Sequence, residues 1–314
     1  MHYSAAQESS PVPCPVTDPA LIDVSGALPL PPGDHRNRVM WLNNDRVFYA
    51  GLLGQVSQRS LGGWGVYVAV AAPLRLALCG PAAPAGAALS WISTDLAVLP
   101  PHTPHQVCCD DRLICSLLIE PETVDEAALP AWMLQRNGVL PVDGAAAAAM
   151  VQRVRAAHAR LRSQGAAIAL DTASFDELFF GQRLVPRRLD ARIARVLDQI
   201  RNDPAQAYTA QQGATAAGLS FSRFLHLFKA EAGMPFRSLR SWKRARSLLH
   251  HVTRDAHLVH VALDTGYPDS THFSHSIRQV YGLKPRDLFA GSRRLTVLGD
   301  SPAARAAAQA ERWR

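Results

Sequence analysis

No run of about 18 apolar residues occurs in the 314-residue chain, so nothing in it is long enough to cross a bilayer as a helix. The opening MHYSAAQESSPVPCP lacks the cationic start and apolar centre of a secretory signal, and a cytoplasmic protein with no membrane partner is expected. Cysteine is scarce. The five, at positions 14, 79, 108, 109 and 115, show neither paired metal-ligand spacing nor the framework of a disulfide-stapled secreted domain. Adjacent Cys108 and Cys109 leave a metal or thiol-sensor role open, but neighbouring thiols seldom satisfy one small ion, and reduced structural thiols are the default. No complete nucleophile or metal constellation is visible, so no catalytic residue, cofactor or metal ligand is assigned.

Negative charge is short in one part of the chain. From Pro186 onward there are 21 Lys and Arg against 10 Asp and Glu, whereas residues 1–185 carry 12 against 16. The surplus of the whole chain, +7, therefore belongs to the C-terminal part, and segregation on this scale reads as a footprint for phosphates.

Texture divides the chain further. Residues 1–34, rich in Pro, Ala and Ser, read as a flexible arm. Between 35 and 140, short apolar runs bounded by turn residues follow one another, among them Arg46–Ala50, Gly65–Val70, Leu74–Leu78, Asp95–Leu99 and Leu113–Ile119. Strand-length runs at this spacing favour an antiparallel barrel or sandwich. Residues 141–185 turn helical: Met150, Val151, Val154, Ala157, His158 and Leu161 mark one face of a first helix, and Phe175, Leu178 and Phe179 a second. Residues 293–314 form a basic, Ala-rich tail.

The segment 186–292 is the most informative. Gly266 to Pro285, GYPDSTHFSHSIRQVYGLKP, has a glycine suited to ending one helix, a Pro-Asp-Ser turn suited to capping the next, and a helix beginning near Thr271. Phe273, Ile277 and Val280 recur at helical spacing, leaving Thr271, Ser274, His275 and Arg278 outward. A shift of 49 positions lays Phe224 on Phe273, His226 on His275, Phe228 on Ile277, Lys229 on Arg278 and Gly233 on Gly282. Two copies of one helix-turn-helix unit are the simplest explanation. Between them Phe236 to His250 reads as a joining helix, with Leu239, Trp242, Ala245 and Leu249 inward and Arg237, Arg240, Arg244 and Arg246 left for solvent or phosphates.

These residues resemble the DNA-binding domain of the AraC/XylS family of bacterial transcription regulators. The resemblance runs from about Leu189 to Phe289. It rests on Ala214 to Ser220, on Phe224 with Leu227, Phe228 and Lys229, and on Gly266-Tyr267, Asp269-Ser270 and His272-Phe273-Ser274, closing on Gly282-Leu283 and Pro285. Two positions depart from the pattern. Gly213 replaces an apolar helix residue, at a cost of about 1 kcal/mol relative to Ala, and Ser241 replaces a common Arg.

The resemblance implies an α+β protein: an N-terminal cupin-like β-barrel with flanking helices, and a C-terminal all-α domain of two helix-turn-helix units. It implies double-stranded promoter DNA as partner, read by Ser222, Leu225 and His226 in the first unit and Thr271, Ser274 and His275 in the second. Arg223, Lys229 and Arg278 would hold phosphates. A homodimer formed through the helices of 141–185, contact with RNA polymerase and a small-molecule effector are further implications. Pro100 to His105, PPHTPH, is similar to the second short cupin motif with His102 in place of its glycine. No His-x-His with a carboxylate accompanies it between Arg38 and Pro100, so a turn carrying two histidines is preferred to a metal site. Trp64, Tyr67, Trp91 and His105 are candidates to line an effector pocket. A cupin-type metal enzyme fused to a DNA-binding domain, or a sequence-neutral architectural DNA binder, are the alternatives.

Overall fold

The computed structural model describes residues 38–54, 56–80, 90–110, 112–134, 140–142, 144–165, 170–253, 257–292 and 295–299. The expected arm at 1–34 lies outside them, as does most of the expected tail.

The N-terminal half is built from strands β1 (Val39–Leu42), β2 (Arg46–Leu52), β3 (Trp64–Ala69), β4 (Leu74–Leu78), β5 (Trp91–Thr94), β6 (Leu96–Leu99), β7 (His105–Cys108), β8 (Leu113–Ile119) and β9 (Leu140–Pro141). Six of them, with a late strand β10 (Thr296–Gly299), form a sheet in the order β10-β1-β2-β8-β3-β6-β9, while β5-β4-β7 form a second. Neighbours are antiparallel except β10, which lies parallel to β1 with Val39 opposite Thr296. The expected β domain is thus two sheets that share a core, and Arg59, in the segment between β2 and β3, makes an antiparallel bridge to His105 of β7. Four residues of the expected tail, Thr296–Gly299, form an edge strand of the larger sheet.

Strand periodicity divides the side chains between three cores. Alternate residues of a strand point to opposite faces. Trp64, Val66 and Val68 of β3, with Trp41 and Phe48, meet the helices α1 (Gly144–Gln164) and α2 (Thr172–Phe180). Tyr67 and Ala69, one step out of phase, meet Leu74, Leu76 and Val107 between the two sheets. Met40 and Leu42 of β1, out of phase with Trp41, face the C-terminal half. On the helical side Phe175 stacks on Trp41 at 4.8 Å and Phe179 packs on Phe48 at 4.6 Å. Asp171 caps α2 by accepting from Ser174 N–H, and Gly181 ends it at φ 74°.

The C-terminal half is all helix apart from β10: α3 (Ala191–Asn202), α4 (Ala210–Ala216), α5 (Phe221–Ala232), α6 (Phe236–Ser247), α7 (Leu258–Asp264), α8 (Ser270–Tyr281) and α9 (Pro285–Ser292). Ile193, Val196, Leu197 and Ile200 form the apolar stripe of α3, buried with Phe224, Phe228 and Phe236. The expected joining helix is α6 plus a short 3-10 turn, Leu248–His250. Phe273 and Ile277 of α8 belong instead to the core shared with β1, β2 and β8, so the second unit is packed directly against the N-terminal domain.

Candidate nucleic-acid interface

The two units repeat in backbone as well as in sequence. Helices α5 and α8 have 12 residues each, α4 and α7 have 7 each, and both recognition helices end on a left-handed glycine, Gly233 at φ 76° and Gly282 at φ 70°. The turns are closed by the same bonds. Leu219 N–H donates to Ala214 O at 3.0 Å in the first unit and Tyr267 N–H to Ala262 O at 2.9 Å in the second, each following a left-handed glycine, Gly218 and Gly266. This is the six-to-one bond that closes a helix C-terminus when the next residue takes a positive φ. At Gly266 the chain passes so close to Ala205 that an added Cβ would collide with that residue's carbonyl oxygen.

Capping sets where each recognition helix begins. Asp269 accepts from the N–H groups of Thr271 and His272, both at 2.8 Å, and its second oxygen lies 2.7 Å from His272 Nδ1. Those bonds, His272 foremost, hold the Asp269 carboxyl below the usual carboxylate range. Thr209 and Gln212 form a reciprocal capping box at α4. Ser220, at the start of α5, makes no side-chain cap bond.

The sequence-predicted reading residues fall on one exposed face of each recognition helix. Ser222, Arg223, His226 and Lys229 are exposed and Leu225 is half-buried; Thr271, His275 and Arg278 are exposed and Ser274 is half-buried. Arg223, Lys229 and Arg278 form no ion pair among the described residues, which leaves them available to anions. Gly213, expected as a weak point of the first unit, has a packing reason: a Cβ there would come 2.6 Å from the Phe224 ring, so the glycine admits the close approach of α4 and α5.

One basic residue departs from expectation. Arg246, read as facing solvent or phosphates, is buried; its Nε lies 2.6 Å from Glu120 Oε1, and a second guanidinium nitrogen donates to the carbonyls of Asn43 and Arg46. Lys243 joins it, donating to Glu120 and Glu122, and Trp242 Nε1 donates to Glu120 at 2.9 Å. Burial alone would push the Glu122 carboxyl up, but the charge and hydrogen bond of Lys243 hold it down. Of the predicted outward arginines, Arg237 is exposed, Arg240 donates to Gln206 O at 2.6 Å and Arg244 to Pro204 O at 3.3 Å.

The effector candidates separate. A cavity of about 330 Å³ lies between the two domains, lined by Tyr49, Arg59, Tyr67 and Leu118 on one side and by Trp242 and Leu295 on the other. Tyr67 lines it. His105 stands behind Tyr67, its Nε2 2.9 Å from the phenol oxygen and its Nδ1 2.8 Å from Thr103 O. Burial holds the His105 imidazole down at about pKa 4. Trp64 belongs to the core under α1 and α2, and Trp91 is half-buried on β5, away from the cavity lining. His102 takes a left-handed backbone, φ 60°, a conformation that glycine adopts without strain. Among the described residues no cluster of three His, Cys, Asp or Glu side chains is placed to hold a metal ion.

Paired three-dimensional units with outward basic and polar faces define a helix-turn-helix DNA-binding domain. Residues 213–291 match the family described as helix-turn-helix domain. The HTH-type transcriptional activator RhaS of Escherichia fergusonii is 30% identical over 154 residues, covering 45% of this chain and 55% of that protein. Invasion protein InvF of Salmonella typhi is 35% identical over 72 residues, 23% of this chain and 33% of that protein. The chain therefore spans about half, or less, of the length of these curated relatives. Among solved structures, ToxT from Vibrio cholerae O395 superposes with a TM-score of 0.49 at 11% identity, over 80% of this chain and 99% of that one. The DNA-binding domain of AdpA, crystallised with a target DNA, gives 0.32 at 18% identity, over 33% of this chain and 95% of that one. The match places a helix-turn-helix domain within the C-terminal third.

Proposed function

We propose that the protein is a sequence-specific transcription regulator, acting in the cytoplasm, that reads double-stranded promoter DNA with α5 and α8. The observation that supports this is the matched exposure of two faces, Ser222, Leu225, His226 and Lys229 on α5 and Thr271, Ser274, His275 and Arg278 on α8. A recognition helix places its outward side chains on base edges in the major groove, while flanking cations hold the backbone and set register. Two such helices on one chain address successive major-groove faces, about 34 Å apart. The domain boundaries that go with this reading are 35–140 for the regulatory β domain, 141–185 for the helical segment and linker, and 186–292 for the DNA-binding domain. The solvent side of α1 supplies a surface for a homodimer, RNA polymerase is the partner that activation requires, and the N-terminal domain answers a small-molecule effector.

Selection of bound duplexes from a random pool by the full chain tests the reading. A motif of two elements spaced by one DNA turn is expected, with enrichment that persists at physiological salt. A pool that remains random, with affinity falling steeply as salt rises for every sequence alike, would instead mark a sequence-neutral binder.

A further inference from the structure

We infer that Phe221, at the tip of the first recognition helix, is a specificity-determining residue that reads the 5-methyl group of a thymine in the major groove. Such a contact presupposes the DNA-binding reading and gives it one base-specific element. Phe221 is 47% exposed at the first position of α5. A single exposed aromatic is ordinary on a protein surface, but here the second unit supplies a comparison. The shift of 49 that lays Phe224 on Phe273 and Phe228 on Ile277 lays Phe221 on Ser270, the first residue of α8 and likewise exposed. A small polar side chain therefore serves the same backbone position, and the unit closes its core without an aromatic there. In the first unit that core holds Phe224, Phe228 and Phe236, all buried, and Phe221 is not part of it.

Position and chemistry name the target. Ser222, the next residue, and Leu225, one turn on, belong to the face assigned to base edges, and Phe221 shares a side with Leu225 at i, i+4 spacing. Helical side chains tilt toward the N-terminus, which carries the Phe221 ring beyond the first turn. That is the end of a recognition helix whose residues meet base edges. The benzyl side chain has neither a hydrogen-bond donor nor an acceptor. It distinguishes base pairs through an apolar group, and on the major-groove edge that group is the thymine methyl. The start of α8 differs. Asp269 fronts its first turn with a carboxylate bonded to the N–H groups of Thr271 and His272, whereas Ser220 makes no side-chain cap bond and the first turn of α5 holds no acidic group. An aromatic at the tip of α5 meets the duplex with no such carboxylate beside it to repel phosphates, while exposed Arg223 and Lys229 hold the backbone.

The full chain first selects a duplex from a random pool, and the element read by α5 is identified by its response to His226→Ala. Each thymine of the selected site is then replaced singly by deoxyuridine, which removes the methyl and keeps the pairing. Fluorescence anisotropy measures the affinity of the native chain, Phe221→Ala and Phe221→Leu for every duplex. In the native chain, uridine at one or two positions of the α5 element is expected to weaken binding roughly fourfold, the factor for one methyl group withdrawn from an apolar contact. Phe221→Ala should bind thymine and uridine alike at those positions and keep the native profile across the α8 element, while Phe221→Leu retains a part of the preference. An α5 element without thymine, a native chain indifferent to uridine there, or a Phe221→Ala chain with the native uridine profile overturns the inference and leaves the regulator reading intact. A pool that stays random sinks the regulator reading and this contact with it. Thermal melting establishes that Phe221→Ala is folded; should it not be, Phe221→Leu and the native uridine profile decide.

Discussion

At the scale of single residues, histidine stands at both outward positions, His226 and His275, that the proposed function assigns to base edges. A neutral imidazole has one donor and one acceptor and lacks the two-pronged grip of arginine on guanine. His275→Ala is therefore expected to relax base preference at one or two positions of the site, whereas Arg278→Ala weakens all sequences alike and reduces the salt dependence by about one unit. Competition binding across single-base variants of the site at several salt concentrations checks this, and identical profiles for the two substitutions would refute the division of roles. These positions were legible in the sequence because helical spacing alone decides which side chains face outward. His105 offers a second measurement. Its folded pKa, about 4, lies below the ordinary value of 6.5. Between those values the unfolded chain takes up a proton that the folded chain refuses, so stability is lost as pH falls through that window, by ~3 kcal/mol at full effect. Chemical denaturation from pH 7 to 4 should show that loss in the native chain and a shallower slope in His105→Gln.

At the scale of elements, what the sequence revealed was what neighbours decide. The caps Asp190, Thr209 and Asp269, the stripe of α3 and the left-handed glycines after α4, α5, α7 and α8 are all local features, set by residues within a turn or two of one another. The short edge strand β10 escaped notice because four residues, Thr296–Gly299, carry too little pattern to be told from a tail; pairing with β1 gives them their conformation. Gly213 shows the limit of propensity. Replacing it with alanine should gain about 1 kcal/mol as a helix former. The new Cβ, however, would meet Phe224 Cζ at 2.6 Å, in a ring packed between Phe228 at 5.6 Å and Phe236 at 5.6 Å. Overpacking of this kind costs about 1–3 kcal/mol, so Gly213→Ala is expected to lower stability or leave it level. A rise in the melting temperature would show that the α4–α5 contact yields easily.

At the scale of the whole molecule, the domains are joined by a buried charge cluster whose members lie more than 120 residues apart, Lys243 and Glu120 being separated by 123. Distance in sequence is why α6 read as a helix with a basic solvent face: periodicity marks its side as polar without saying that an acidic wall covers it. Within the cluster the partners are not equivalent. Glu120 is also held by Trp242 and Arg246, whereas Glu122 has Lys243 as its ion-pair partner among the described residues. Removing one partner of a buried pair costs about 3–5 kcal/mol, because the other charge is left in a medium that solvates it poorly. Lys243→Met should therefore weaken the join between domains by that order. In calorimetry it should split a single melting transition into two, with the helical domain free to bind DNA after the first. If the loss comes from the stranded carboxylate, adding Glu122→Gln to Lys243→Met should recover a part of it, a coupling that a double-mutant cycle measures directly. Breaking the exposed pair Arg183–Glu177, whose side chains are 70% and 52% exposed, should leave stability almost unchanged, because solvent screens the pair. A Lys243→Met chain that melts as one transition at the native temperature would mean that the apolar contacts of Met40, Leu42 and Leu118 with α6 hold the two domains together without the charges.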